Sequence, residues 1–270
     1  MYLVGTINTP VRGASSNDQS VRVILNEIMY HQYSQGNQAE DITAEYIELF
    51  NQGAQSLSLA GWQLTNGVNF IFPDVTLDAG EYLVIAADLD TFASEYPGVS
   101  NVVGGWDGKL SNSGEMIELV DSTGEIINSV HYADQGDWGV RELGPRDRGH
   151  RGWDWVSEHD GGGKSLELIN PMLPNEYGQN WTASNSTDGT PGMINSVFTT
   201  NVAPTCKDGE RSIALPGSSD AVTVTVIAFD LEGLDRVELF VDTGNGFAIG
   251  TPLNVPRPLR KGPCNGTTKR

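Results

Sequence analysis

Residues 158–171, EHDGGGKSLELINP, hold the pattern in this chain that comes nearest to known chemistry. Three glycines run into Lys164 and Ser165, the tail of the GxxxxGK[ST] loop that cradles phosphates. Such a loop needs a glycine at position 158 and a helix behind it, so that the helix N-terminal N–H groups point at the anion. Position 158 is Glu, whose carboxylate would repel a phosphate. Residues 165–169 alternate and then meet Asn170 and Pro171, the mark of a short strand stopped by a proline turn. The expectation is therefore a turn at 161–163, with Lys164 a solvated charge at a strand edge and no nucleotide site.

Other chemistries lack their residues. No G-x-S-x-G elbow is present to activate a serine beside a base. His31, His131, His150 and His159 are scattered. Asp147, Asp154, Glu158 and Asp160 surround the last two histidines without ligand-like spacing. Asp134-Gln135-Gly136-Asp137 is too sparse for a calcium loop. No enzyme activity, cofactor or dedicated metal site is expected. Weak divalent-cation binding at the acidic loops is the alternative to simple solvation. Cys206 and Cys264, with no further ligands near them, are read as thiols rather than as a bridge or a metal site.

The remaining chemistry is recognition. Residues 134–160 hold Trp138, Trp153 and Trp155 with Arg141, Arg146, Arg148 and Arg151. Tryptophan gives a flat apolar platform and arginine a rigid fork of donors. Two readings fit. As a lid, the tryptophans fold back over one end of the domain; as a surface, they face a partner. The sequence favours the lid, with at least one of Trp153 and Trp155 buried and Trp138 the exposed one. Any ligand contacts are expected from Trp138, Arg141, Arg151, Trp153 and Trp155, with a protein or glycan as partner.

Composition narrows the classes further. The net charge is −19, and the last sixteen residues carry five basic and no acidic groups, which leaves −24 over residues 1–254. That field repels phosphate backbones, so no nucleic-acid partner is expected. No apolar run approaches a membrane span, so no membrane insertion is expected, and residues 1–20 lack the features of a signal peptide.

Short β signals must position these residues. Residues 21–29 and 45–50 read as strands, the second alternating charged with apolar. Residues 81–86 form a nearly continuous apolar run suited to a central strand, and 90–96 allow a helical turn. Residues 116–120 and 126–130 flank the loop Asp121-Ser122-Thr123-Gly124, a hairpin signal. Strands at this spacing with almost no helix indicate a sandwich. Its core is expected to hold Trp62, Leu64, Tyr82, Val84, Ile117 and Leu119, with Trp181 also inside and Trp106 partly exposed.

The blocks NEI (26–28), EYIELFN (45–51), LSLAGWQLT (57–65), FPDVTLDAGEYLVIA (72–86), LSNSGEMIELVDSTGEIINSV (110–130), SLEL (165–168) and TPGMIN (190–195) together resemble the lamin tail domain. The resemblance covers residues 21–196 and implies an all-β, immunoglobulin-like antiparallel β-sandwich. The insertion at 134–160 departs from the compact pattern and, with the NEIMYH start, is similar to modules of large bacterial surface proteins. Before it, residues 1–20 read as a disordered lead-in. After it, residues 197–254, with alternating stretches at 221–226 and 235–241 and a turn at 243–246, read as a partial second β-sandwich of immunoglobulin-like or fibronectin-like type. Residues 255–270 read as a disordered basic tail. The resemblance implies a non-catalytic binding or structural module of an extracellular or cell-surface protein, or else an accessory domain of an enzyme such as a spore-coat-type kinase-like protein.

Overall fold

The computed structural model describes residues 3–8, 22–33, 40–148, 150–215, 217, 222–234, 236–242, 247–249 and 263–266. The chain divides into two compact units, Gln19–Thr199 and a second that joins Met1–Asp18 to Thr200–Arg270.

Gln19–Thr199 is built from short strands. In chain order they are β1 (Val23–Met29), β2 (Tyr46–Asn51), β3 (Gln63–Thr65), β4 (Val68–Ile71) and β5 (Tyr82–Ala86). Helix α1 (Leu89–Glu95) follows, capped by the Asp88 side chain, which accepts from the Thr91 N–H. Then come β6 (Val102–Gly104), β7 (Asp107–Gly108), β8 (Glu115–Val120) and β9 (Ile126–Tyr132). The hairpin β10 (Val140–Asp147) and β11 (His150–Val156) precedes β12 (Leu166–Leu168) and β13 (Trp181–Ala183). Sheet A has the order β13-β12-β1-β2-β5-β6, and sheet B the order β7-β4-β3-β8-β9. All neighbours run antiparallel except β5 and β6. The result is an immunoglobulin-like β-sandwich.

Alternation decides which side chains meet between the sheets. Leu25 and Ile28 of β1, Ile47 and Leu49 of β2, and Leu83 and Ile85 of β5 face Leu64, Ile117, Leu119 and Val130 in one apolar cluster with Trp62 and Trp181. Tyr82 and Val84 point the other way, contrary to the sequence expectation. Tyr82 is half-buried against Phe50, and Val84 packs with Met29, Tyr46, Ala86 and Phe92 beneath α1. Because α1 covers this outer face, both parities of the run are apolar, and the run alone does not tell the faces apart. Trp106, expected to be partly exposed, is buried in the main cluster.

The outer face of sheet A also carries a row of acids. Glu48, Glu27 and Glu167 are cross-strand neighbours on β2, β1 and β12, and all three are fully buried. Facing carboxylates repel one another, yet among the described residues neither ion pair reaches them. What covers them is the segment 188–197. The Thr190 N–H donates to Glu27 Oε1 at 2.8 Å, and the Gly192 N–H to Glu48 Oε2 at 2.6 Å. The Ser196 hydroxyl and Val197 N–H both reach Glu167 Oε2. Asn195 donates to the Asn26 and Leu168 carbonyls. The carboxyls thus act as a latch holding this segment onto the sheet. Burial, reinforced by Glu167, raises Glu27 to about 7, and burial with Glu27 beside it pushes Glu48 well above the usual carboxylate range.

The second unit contains two small sheets, the first with Leu3–Asn8, Val222–Phe229 and Thr205–Arg211, the second with Phe247–Ile249, Arg236–Asp242 and Pro263–Gly266. Two expectations of disorder are corrected here. Leu3–Asn8, inside the supposed lead-in, pairs in parallel with residues 222–227, its LVGTIN sequence supplying the β-branched residues that strands favour. Pro263–Gly266, inside the supposed tail, pairs in parallel with residues 236–239. The turn expected at 243–246 and most of both terminal segments lie outside the described residues.

Candidate recognition site

Residues 134–160, expected as an irregular insertion, form a two-stranded hairpin with a short stem. In β10 and β11, Arg141 pairs with Trp155 and Leu143 with Trp153, so these four side chains share one face. The sequence expectation that one tryptophan of this pair is buried is overturned: Trp153 is 53% exposed and Trp155 43%. The reason is architectural. A two-stranded ribbon has no second layer on this face to bury its side chains. Its partner for Trp153 is internal, the Arg141 guanidinium stacked 4.5 Å from the ring centroid.

Trp138 is the opposite case. Expected to be the exposed member, it lies half-buried at the base of the insertion, its ring 5.9 Å from that of core residue Trp181. Its carbonyl accepts from His159 Nε2 at 2.9 Å, which leaves His159 Nδ1 to accept from the Tyr30 hydroxyl at 2.7 Å. A carbonyl can only accept, so Nε2 carries a proton, and in the neutral imidazole Nδ1 is then the acceptor. Burial holds its pKa below the ordinary histidine value. One residue on, Asp160 accepts from His31 Nδ1 at 2.6 Å. The Ser157 hydroxyl donates to the Asp134 carbonyl and closes the stem. The base is therefore anchored to the sandwich through Tyr30, His31, Trp138 and His159, while the aromatic face above it is open.

Beside that face is a cavity of about 600 Å³, lined by Trp153, Trp155, Asp134, Asp154 and Asp160 with Gln135 and Ser157. Of the residues expected to make contacts, Arg141, Trp153 and Trp155 come together on the hairpin face, and the two tryptophans line the cavity. Arg151 lies on β11 opposite Arg146, and its side chain is outside the described set. Trp138 faces the core instead. The three aspartates were not singled out from sequence as contact residues. Asp154 sits between the two tryptophans in W-D-W, a spacing that is legible only once the segment is known to be a strand.

The glycine-rich turn at 161–163 does what its residues suggest. Gly161 and Gly163 have φ of +73° and +77°, and a Cβ on Gly162 would overlap the Glu158 carbonyl. Strand β12 follows, not a helix. Lys164 pairs with Glu158 at 2.5 Å, the very position where a phosphate loop would carry its first glycine. Exposed ion pairs contribute little. Lys164→Ala is expected to move stability by no more than about 0.5 kcal/mol in urea unfolding. Micromolar ATP binding that disappears in this variant would contradict the assignment.

No curated protein matches the chain. Residues 16–134, under half of its length, match the family model of the Lamin Tail Domain, a match that ends where the insertion begins.

Proposed function

We propose that this chain is a non-catalytic recognition module of a larger extracellular or cell-surface protein of bacterial type. The aromatic face of the β10–β11 hairpin is its contact surface, and a protein, glycan or matrix component is its partner. The carrying observation is the pair Trp153 and Trp155, both exposed on one face of a hairpin whose base is anchored into the sandwich. An exposed indole costs solubility, and tryptophan with arginine is the residue pair that dominates interface hot spots. The match at 16–134 to a non-catalytic domain family supports the absence of chemistry in that segment. Residues 197–254 fit the same reading as part of a second immunoglobulin-like segment in a multidomain protein.

The test uses the full chain against an array of glycans and immobilised matrix proteins, followed by Trp153→Ala and Trp155→Ala. Each variant is expected to keep its urea midpoint within about 1 kcal/mol, since the rings are exposed. Each is expected to weaken binding by roughly 30-fold, the loss of about 2 kcal/mol typical of a hot spot. If both variants unfold, the hairpin is a structural lid. If both bind as wild type does, the contact surface lies elsewhere.

A further inference from the structure

The loop between β7 and β8 lies against polar oxygens that no donor among the described residues satisfies. Glu45, immediately before β2, is 1% exposed. Its Oε2 accepts from the Leu110 N–H at 2.8 Å, but its Oε1 is shielded from solvent and no donor reaches it. Two residues along the same loop, Asn112 donates its Nδ2 to Glu40 Oε2 at 3.0 Å. Glu40 Oε1 and Asn112 Oδ1 are likewise shielded and without a donor. One short loop thus binds two carboxylates, each through one oxygen, and leaves one oxygen of each, plus an amide oxygen, unpaired.

Shielded acceptors cost free energy unless they are partnered, and a buried carboxylate most of all. The charged groups around Glu45 do not supply that partner. Burial first, and then the like charge of Glu40 and Glu115, raise its carboxyl to about 8 in the absence of a cation, and Tyr132 faces the same region with a hydroxyl that donates to Glu115 Oε1 and the Ser111 carbonyl. Lys109 attracts it, but Lys109 is exposed and forms no ion pair with it among the described residues. The unsatisfied atoms are all hard oxygens, two carboxylate and one amide. Among the described residues no histidine or cysteine is grouped with them, and Glu115 Oε1 is already occupied by the Ser111 N–H and the Tyr132 hydroxyl. That donor set suits calcium, which accepts carboxylate and amide oxygens in irregular geometry and completes its shell with water.

We infer that Glu40, Glu45 and Asn112 form a binding site for a hard divalent cation of the calcium type, where the β7–β8 loop meets the start of β2. With three protein oxygens the site belongs to the weak class, with a dissociation constant on the order of 10⁻⁴ to 10⁻³ M, typical of extracellular modules. Its role is structural: the cation ties residues 40 and 45 to the loop at 110–112.

The experiment uses the full chain, stripped with EDTA and titrated with calcium chloride, against sodium chloride at matched ionic strength. Calorimetry is expected to show one saturable site, and the thermal midpoint is expected to rise by about 3–5 °C at saturation. Glu45→Gln keeps a carbonyl for the Leu110 N–H but removes the charge, so it is expected to fold and to lose the calcium response. Asn112→Ala, at a half-buried loop position, is a second variant in case the first does not fold, and it is expected to weaken the response at least tenfold. A wild-type midpoint that calcium moves no more than matched sodium does would overturn the site. So would a saturable response that survives unchanged in whichever variants are folded.

Discussion

Gly189→Ala is expected to lower the stability of the Gln19–Thr199 unit by about 3 kcal/mol, the sum of left-handed backbone strain and overpacking. Gly189 has φ of +80° and sits where the covering segment 188–197 descends onto the acidic row. A Cβ there would overlap the Tyr46 hydroxyl, Glu27 Oε1 and Ser165 Oγ at once. Those three atoms are the centre of the latch, since Tyr46 and Ser165 each donate to Glu27 Oε1 at 2.6 Å. All three are fully buried and tied to one another by these hydrogen bonds, so the strain is not relieved by swinging one side chain aside. The covering segment has to lift, exposing Glu27, Glu48 and Glu167 together. Gly80→Ala is the control, because Gly80 has φ of +75° with nothing within 4 Å of the added carbon. It is expected to cost about 1–2 kcal/mol from backbone strain alone. A Gly189→Ala midpoint in urea no lower than that of Gly80→Ala would mean that the latch does not hold the segment.

This latch shows where sequence reading stops. Residues 45–50 alternate charged with apolar, and the natural inference is that the charged positions face water. The alternation is real and the faces are correctly separated, but Glu48 has no exposed surface. Its cover comes from Gly192, a hundred and forty-four positions away, and local periodicity carries no information about that. Strands β1, β2, β5, β8 and β9 were legible as short apolar or alternating runs between turn signals, β2 by its period of two and β5 by its unbroken apolar run. The hairpin was not, because GPRDRGHRG at its tip carries charge and turn residues that also suit an irregular loop. The same cause misassigned its tryptophans. Aromatic residues are usually read as core, and only knowing that β10 and β11 form a ribbon with no layer above them places Trp153 and Trp155 in solvent. Trp138 fails in reverse. Its neighbour Trp181 is forty-three positions downstream, beyond any local pattern. At the further site, Glu45 reads as one more surface acid until Leu110 and the loop around Asn112 close over it.

Raising the pH from 5 to 8 in EDTA is expected to destabilise the protein, the reverse of the usual behaviour of carboxylates that gain cationic partners on folding. Glu27 is raised from 4.5 to about 7, first by burial and next by Glu167, and Glu48 is raised by burial and by Glu27. Each is a folded-state pKa above the unfolded one, so the folded protein holds the proton more tightly. For Glu27 that contribution is complete below about pH 4.5, where both states are protonated, and it is lost as pH rises through the folded value near 7. Between those limits the slope from Glu27 is about 1.4 kcal/mol per pH unit, and Glu48, raised well above the usual carboxylate range, adds to it with the same sign. His159 acts in the other direction. Its depressed folded pKa contributes stability above about 6.5 that is lost as pH falls. It stands against Glu27, Glu48 and Glu45, the last raised by burial to about 8, and the net slope remains downward. Glu27→Gln separates the row from the rest of the protein. Its amide oxygen still accepts from Tyr46, Ser165 and Thr190, but it has no charge to bury. The variant is expected to be at least as stable as wild type at pH 8 and to show a shallower decline from pH 5. Chemical denaturation at half-unit pH steps measures both curves. A wild-type stability that rises across this range, or a Glu27→Gln curve parallel to it, would show that Glu27 and Glu48 are charged in the folded protein and that their repulsion is balanced by other means.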